Sequence, residues 1–432
     1  MLQFHSDLSS VAANVNSVEP VAIVFVVPAP CGSGKTHQGI KHAVDRAFNF
    51  GEAILYVLPT VEQIRKTIND ELEKHRLKPL YFDIHNERTS LRGRSVADAI
   101  VDHLRDNLVE GDGQILFITQ QALSWMKHWP NRDKWHVIID ESIQVTKSTE
   151  LRFARTHLHQ HFTDLLQLEP VHGTSYARVT ALDDGLMEKI ATGRTNDDLD
   201  GVGSVRDLAR LLSNGVTDTE DFGRCWRTWV TADAFRRAAD GEIDVLEFQS
   251  VMDPKVLQGF GSVIVLGANL MSTLMLRLWA REGIRFRLHE DIACSLRDLT
   301  HKCGERVTIW YGINSAWSKH RREEVVDGVR LIERISTAAL EVIGDRDFVW
   351  MANASIPDTI ITEKLVHREG RKIERLPNIP HGRNDYAWAD VILFLSALLP
   401  TPAHFRFLAR SSLSRPRRSG GHSFMRSRTR RH

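Results

Sequence analysis

Apolar residues along the chain fall into short unbroken runs, separated by stretches where they recur every three or four positions. The runs "VAIVFVV" (21–27), "AILYVLP" (53–59), "LYFDI" (80–84), "QILFIT" (114–119) and "WHVIID" (135–140) predict strands. The segments between them predict helices at Lys35 to Phe50, 60–75, about 94–108 and 119–128. Thr60 and Gln63 have the spacing of a capping box at the start of the second helix. Strands apolar throughout, alternating with helices, predict a parallel sheet covered on both faces.

After Asp140 the rhythm breaks. Residues 145–255 predict a mainly helical insertion within the first α/β domain, and "GSVIVLGAN" (261–269) returns to a buried strand. A second α/β unit is expected to follow. Its strands would be "RVTIWYG" (306–312), "DFVWMAN" (347–353) and "DVILFLS" (390–396), with a long helix over 318–343. The expected organisation is therefore a flexible lead-in at 1–20, a first domain at 21–300, a partial second domain at 301–408 and a tail at 409–432. No short-period repeat is present.

Composition adds little until the tail is separated. The chain has 432 residues, 42% apolar and 26% charged, which suits a globular protein of two or three domains. The net charge of +1 conceals an asymmetry. The last 24 residues hold eight Arg and no acid, so the body carries 48 basic against 55 acidic residues. Nucleic-acid contact by the body would need a local groove. The tail, rich in Arg and Ser, predicts disorder. Four scattered cysteines point to a reducing cytoplasm. No apolar run reaches the ~20 residues of a membrane-spanning helix.

The strongest chemistry is "APCGSGKT", Ala29-Pro30-Cys31-Gly32-Ser33-Gly34-Lys35-Thr36. It fits the phosphate-loop pattern with Ala29 in place of the first Gly. Gly32 and Gly34 let backbone N–H groups turn toward a phosphate, and the following helix adds its positive end. Lys35 would reach the outer phosphates and Thr36 would bind Mg²⁺. The run "WHVIIDES" ends a strand in two carboxylates. Asp140 is placed to hold Mg²⁺ through water and Glu141 to orient the attacking water; a strand-end Asp also caps helices.

With these residues in view, the chain resembles a superfamily 2 helicase of the DEAD/DEAH-like group. "APCGSGKT" matches motif I and "IIDESI" (138–143) motif II. "LYVLPTVEQIRK" (55–66), "ILFITQQAL" (115–123) and "VIVLGANL" (263–270) resemble motifs Ia, Ib and III. "DFVWMANAS" (347–355) and "IPHGRNDYAWADVILFL" (379–395) are similar to motifs IV and V. The resemblance implies two RecA-like domains, ATP with Mg²⁺ in the cleft, and a nucleic-acid strand across the top, DNA ahead of RNA. By position it gives Gly267, Ala268 and Asn269 a coupling role, and Gly382 and Asn384 closure from the second domain. Pro59, Thr60, Thr119 and Gln120 would lie at the strand's phosphates. The two threonines read equally well as helix caps, and Gly382 and Asn384 as a tight turn.

Two departures stand out. Motifs II and III lie more than 120 residues apart. No motif VI, the source of the family's γ-phosphate arginines, is visible before the chain passes into its Arg/Ser tract. That tract reads either as an interrupted reading frame or as a basic arm for nucleic acid. Smaller candidates are His289, Cys294, His301 and Cys303, whose spacing matches no standard zinc pattern, and Trp125, Trp129 and Trp135, which suit core burial as well as base stacking. The expectation is an ATP-driven helicase or translocase. Its rivals are a P-loop ATPase that moves a protein and a nucleotide-dependent binding module without efficient turnover.

Overall fold

The computed structural model describes residues 22–87, 95–107, 111–152, 162–193, 203–213, 225–300, 304–365, 372–378, 386–398 and 400–410. The chain forms two compact units. One holds the described residues through Leu299 together with those from Pro402 on; the other spans Thr300–Thr401.

The first unit opens with strand and helix in strict alternation: β1 (Ala22–Pro28), α1 (Lys35–Phe50), β2 (Ala53–Leu58), α2 (Val61–Asp70), β3 (Leu80–Asp83), α3 (Val96–Asp106), β4 (Gln114–Thr119), α4 (Gln120–Trp125) and β5 (Trp135–Asp140). The apolar runs of the sequence are these strands, almost to the residue.

Between β5 and the return of that pattern lie β6 (Thr146–Arg152), β7 (Leu166–Pro170), β8 (Tyr176–Ala181), α5 (Asp184–Thr192), α6 (Gly203–Ser213), β9 (Trp226–Thr231), α7 (Ala232–Ala239) and β10 (Val245–Met252). The expectation of a mainly helical insertion is corrected here. The five strands form an antiparallel sheet in the order β6-β10-β9-β8-β7. One face of this sheet packs against its own helices, and the other is only partly covered. Polar residues are frequent in these strands, as in "TKSTELR" and "WRTWVT", and the unbroken apolar signal of a doubly covered strand is missing. Helices α5 and α6 cover the inner face, packing Met187, Ile190, Leu208 and Leu212 against Val230, Leu246 and Phe248.

The alternating pattern resumes with β11 (Ser262–Gly267), α8 (Leu274–Arg281), β12 (Ile284–Leu288) and the short α9 (Glu290–Cys294). The seven strands outside the insertion form one sheet in the order β12-β1-β11-β5-β2-β4-β3, parallel at every pairing. Alternate side chains of the central strands serve two cores. Ile54, Tyr56 and Leu58 face α1 and α2, while Leu55 and Val57 face the side that holds α3, α4 and α8. That is why β2 is apolar and buried at every position, whereas the edge strands β3 and β12 carry polar residues and are partly exposed.

The second unit contains α10 (Lys319–Glu323), the hairpin β13 (Val325–Val326) and β14 (Val329–Arg330), α11 (Leu331–Ile343), β15 (Phe348–Met351), α12 (Thr359–Thr362), β16 (Ile373–Arg375) and β17 (Val391–Phe394). Its parallel sheet has the order β16-β15-β17. The helix expected over 318–343 is broken, because Asp327 and Gly328 both take left-handed backbone angles (φ 54 and 78) and close a two-residue hairpin. The strand expected at 306–312 does not form. Val307, Ile309, Trp310 and Tyr311 are exposed there and have no sheet to join.

The boundary expected at residue 408 is also corrected. Helix α13 (Pro402–Arg410) belongs with the first unit. Its Phe407 ring meets Tyr176 and Trp229 of the inserted sheet at 5.3 and 5.5 Å. The expected tail beyond it, and the expected lead-in at 1–20, lie outside the described residues.

Candidate functional site

Register sets the site. Pro28 at the end of β1 is level with Gly267 of β11, and Leu266 is level with Asp140 of β5. The strand that leads to Lys35 and the strand that carries Asp140 are therefore not neighbours, since β11 runs between them. Two strand spacings, about 10 Å, separate the tips. The loop 29–34 and the first turn of α1 cross that gap. Ala29 donates its N–H to the Gly267 carbonyl at 3.2 Å, which ties the loop to β11.

Gly34 has φ +89, and this left-handed turn starts α1 directly at Lys35. The Lys35 ammonium is buried and donates to the carbonyls of Ala29 (2.9 Å) and Pro30 (2.8 Å). The Ser33 hydroxyl is buried without a hydrogen-bond partner. Arg297 braces the loop from outside, with its backbone N–H on the Ser33 carbonyl at 3.1 Å and its guanidinium on Gly32 O. Cys31 is exposed.

Asp140 is 3% exposed. Burial raises its carboxyl to about pH 6, and the charge of Glu141 adds to the rise. The Thr36 hydroxyl, the Lys35 ammonium and the Tyr56 hydroxyl oppose it. Tyr56 donates to Oδ2 at 3.4 Å, whereas Oδ1 is buried without a hydrogen-bonded partner among the described residues. Tyr56 reaches this carboxylate because α1 carries Gly39 above it. A Cβ at Gly39 would stand 2.7 Å from the Tyr56 oxygen and 2.6 Å from Leu266.

Glu141 has φ +77, in the left-handed region that a residue with a long side chain rarely occupies. Two bonds hold it. Its N–H donates to Leu266 O at 2.9 Å, and its carbonyl accepts from the Gln120 side-chain amide at 2.9 Å. Such strain costs of order 1–3 kcal/mol and persists where the surroundings over-determine it. Asn269 is left-handed too (φ 52) and opens the turn after β11.

The other expected site residues divide clearly. Thr60 and Thr119 sit at the carboxyl ends of β2 and β4 as helix caps, accepting from the N–H of Gln63 (3.2 Å) and Ala122 (3.1 Å). The Gln63 side chain bonds the Thr60 hydroxyl, not the Thr60 N–H, so the capping box is only half formed. Gln120 turns inward to the Asp140 and Glu141 carbonyls. Pro59 precedes Thr60 at the carboxyl end of β2, and Ala268 follows Gly267 in the β11 turn. Gly382 and Asn384 lie outside the described residues, as do His301 and Cys303. His289 caps α9 and meets the rings of Phe25 and His42 edge to face. Trp129 and Trp135 are core residues, and Trp125 carries Arg210 on its face.

Sequence reasoning missed Tyr56, Gly39 and Arg297. Each acts through a contact distant in sequence.

Among the described residues, no helix is long and apolar enough to cross a membrane, and no group of three His, Cys, Asp or Glu could hold a metal by itself. No protein-family model matches the chain, and no curated protein matches it. Among solved structures, one described as "XPD_Helicase" is 12% identical, aligns over 96% of this chain and 88% of its own, and has a TM-score of 0.42. Another, "Structure of S. tokodaii Xpd4", is 10% identical over 86% and 80%, with a TM-score of 0.26. At such scores the superpositions are loose, and the fold rests on the strand order and register given above. That order gives an α/β protein with a seven-stranded parallel sheet, whose strand tips bring the loop 29–34 and the Asp140-Glu141 pair together.

Proposed function

We propose that this protein binds ATP with Mg²⁺ at the tips of β1, β11 and β5, hydrolyses it, and uses the cycle to move on nucleic acid as a superfamily 2 helicase or translocase. The observation that carries the reading is convergence. Lys35 and Thr36 open the helix that follows β1, Asp140 and Glu141 end β5, a strand that is not a neighbour of β1, and all lie around one point.

The residues fit the metal. Mg²⁺ takes hard oxygen ligands and is commonly held by one or two protein oxygens plus substrate phosphates. Thr36 offers a hydroxyl, and Asp140 offers a buried carboxylate with one oxygen unpartnered. When bound, the ion supplies charge neutralisation at the phosphates. Lys35 holds its ammonium ready on two carbonyls that a phosphate oxygen can replace. Glu141 is the base or orienter for water, aimed by its constrained backbone. Gln120 keeps that backbone in place, so its part here is positioning, in place of the nucleic-acid contact expected of it.

Movement on nucleic acid rests on the order of the resembling motifs and on Thr60 and Thr119 at strand ends. DNA stands ahead of RNA as the track. ATP turnover measured with and without single-stranded DNA, duplex DNA and RNA, at stated salt, tests the reading. Stimulation by a nucleic acid is expected, with Lys35→Ala losing binding or turnover and Glu141→Gln keeping binding and losing turnover. Turnover indifferent to every nucleic acid would replace the track with a protein. Binding without turnover under any stimulus would leave a nucleotide-dependent binding module.

A further inference from the structure

A cavity of about 280 Å³ opens where the inserted sheet, α8 and α13 meet. It is remote from the phosphate loop. Glu282 on its wall is two residues ahead of Ile284, which is level with Ala22 at the start of β1. The loop leaves the other end of β1, six residues and about 20 Å away.

The walls have a definite chemistry. Tyr176, Trp229, Trp279 and Phe407 give four aromatic faces or edges. Trp279 spends its N–H on Met252 O at 2.9 Å, so it offers the cavity only an apolar surface. Opposite lies one polar cluster. Arg227 bridges the buried carboxylate of Asp253 and the half-exposed carboxylate of Glu282. With Arg281 at the rim, the lining holds two basic and two acidic side chains, a balance that does not favour a bare ion. Glu282 accepts from Arg227 through Oε2 at 3.1 Å, and no bond to its Oε1 is recorded among the described residues. An aromatic slot with one available acceptor at its edge suits a flat ring that carries a donor.

We propose that this cavity binds a small, neutral, bicyclic heteroaromatic molecule of indole size, stacked among Trp229, Tyr176 and Phe407, with a ring N–H donated to Glu282. The site is separate from the phosphate-loop centre. Phe407 makes it a joint property of the inserted sheet and the returning helix α13.

Fluorine NMR on the full chain tests this with fluoroindole and with fluorobenzofuran, its counterpart without the ring N–H. Saturable binding of fluoroindole with Kd below about 1 mM is expected. The benzofuran should bind at least about fivefold more weakly, because it leaves the carboxylate unpaired. Glu282→Ala changes a partly exposed side chain and should abolish the difference between the two rings. Trp229→Leu should weaken both at least about fivefold. Lys35→Ala should change neither, which separates this site from the nucleotide site. Absence of saturation, equal affinity for the two rings in the unaltered protein, or a preference that survives Glu282→Ala would overturn the proposal. The Glu282→Ala comparison decides it even if Trp229→Leu fails to fold.

Discussion

The Tyr56 hydroxyl lies 3.4 Å from Asp140 Oδ2, under a helix that has no side chain at Gly39. Burial and the nearby carboxylate hold the Tyr56 phenol well above its ordinary range, so it stays a donor. The residue beneath α1 thus sets the environment of the carboxylate that the proposed metal needs.

Gly39→Ala should destabilise the fold by about 1–3 kcal/mol, because the new Cβ meets the Tyr56 oxygen and Leu266 in a closed core. Tyr56→Phe removes one of the two clashing atoms. The double variant should be more stable than the sum of the single effects predicts, which urea denaturation of all four proteins would reveal.

Asp140 gives a pH signature. Its carboxyl titrates near 6 in the folded state against 3.8 ordinarily, so the folded chain holds the proton more tightly than the unfolded chain. The stabilisation from that proton is complete below pH 3.8 and is lost as pH rises through about 6. At 1.36 kcal/mol per pK unit the loss is roughly 3 kcal/mol. Asp140→Asn should therefore gain stability relative to the unaltered protein between pH 4 and 7 when no metal is added. His42, pushed down to about 4 mainly by burial, titrates with the opposite sign. It is common to both proteins and cancels in the difference. Mg²⁺-dependent nucleotide binding should strengthen over the same rise in pH, as the carboxylate ionises.

The left-handed backbone at Glu141 predicts a trade of stability for function. Glu141→Gly should raise stability by about 1 kcal/mol, since glycine takes φ +77 without strain, while turnover is lost. Thermal denaturation and a phosphate-release assay on one preparation would check both halves. A glycine variant less stable than Glu141→Gln would count against strain at this residue.

Helix α13 is held to the inserted sheet by Phe407, which is 5% exposed. Phe407→Ala should cost about 3 kcal/mol, the usual loss for a buried phenylalanine. Limited proteolysis should then cut within 402–410 sooner than in the unaltered chain.

What was legible in the sequence was local. Unbroken apolar runs named the parallel strands β1, β2, β4, β5 and β11, because a strand covered on both faces has no polar position to hide it. The loop 29–36 stood out by its glycines, and Gly32 and Gly34 take left-handed angles (φ 76 and 89) that other residues rarely adopt. The tertiary structure decided what depends on lateral order. It put β11 between β1 and β5, turned the segment expected to be helical into an antiparallel sheet, and brought α13 back to the first unit. It made Gln120 a clamp on Glu141 and placed Tyr56 under Asp140. Periodicity reports how a segment faces its own surroundings. Which distant segment supplies those surroundings is settled only when the whole chain has packed.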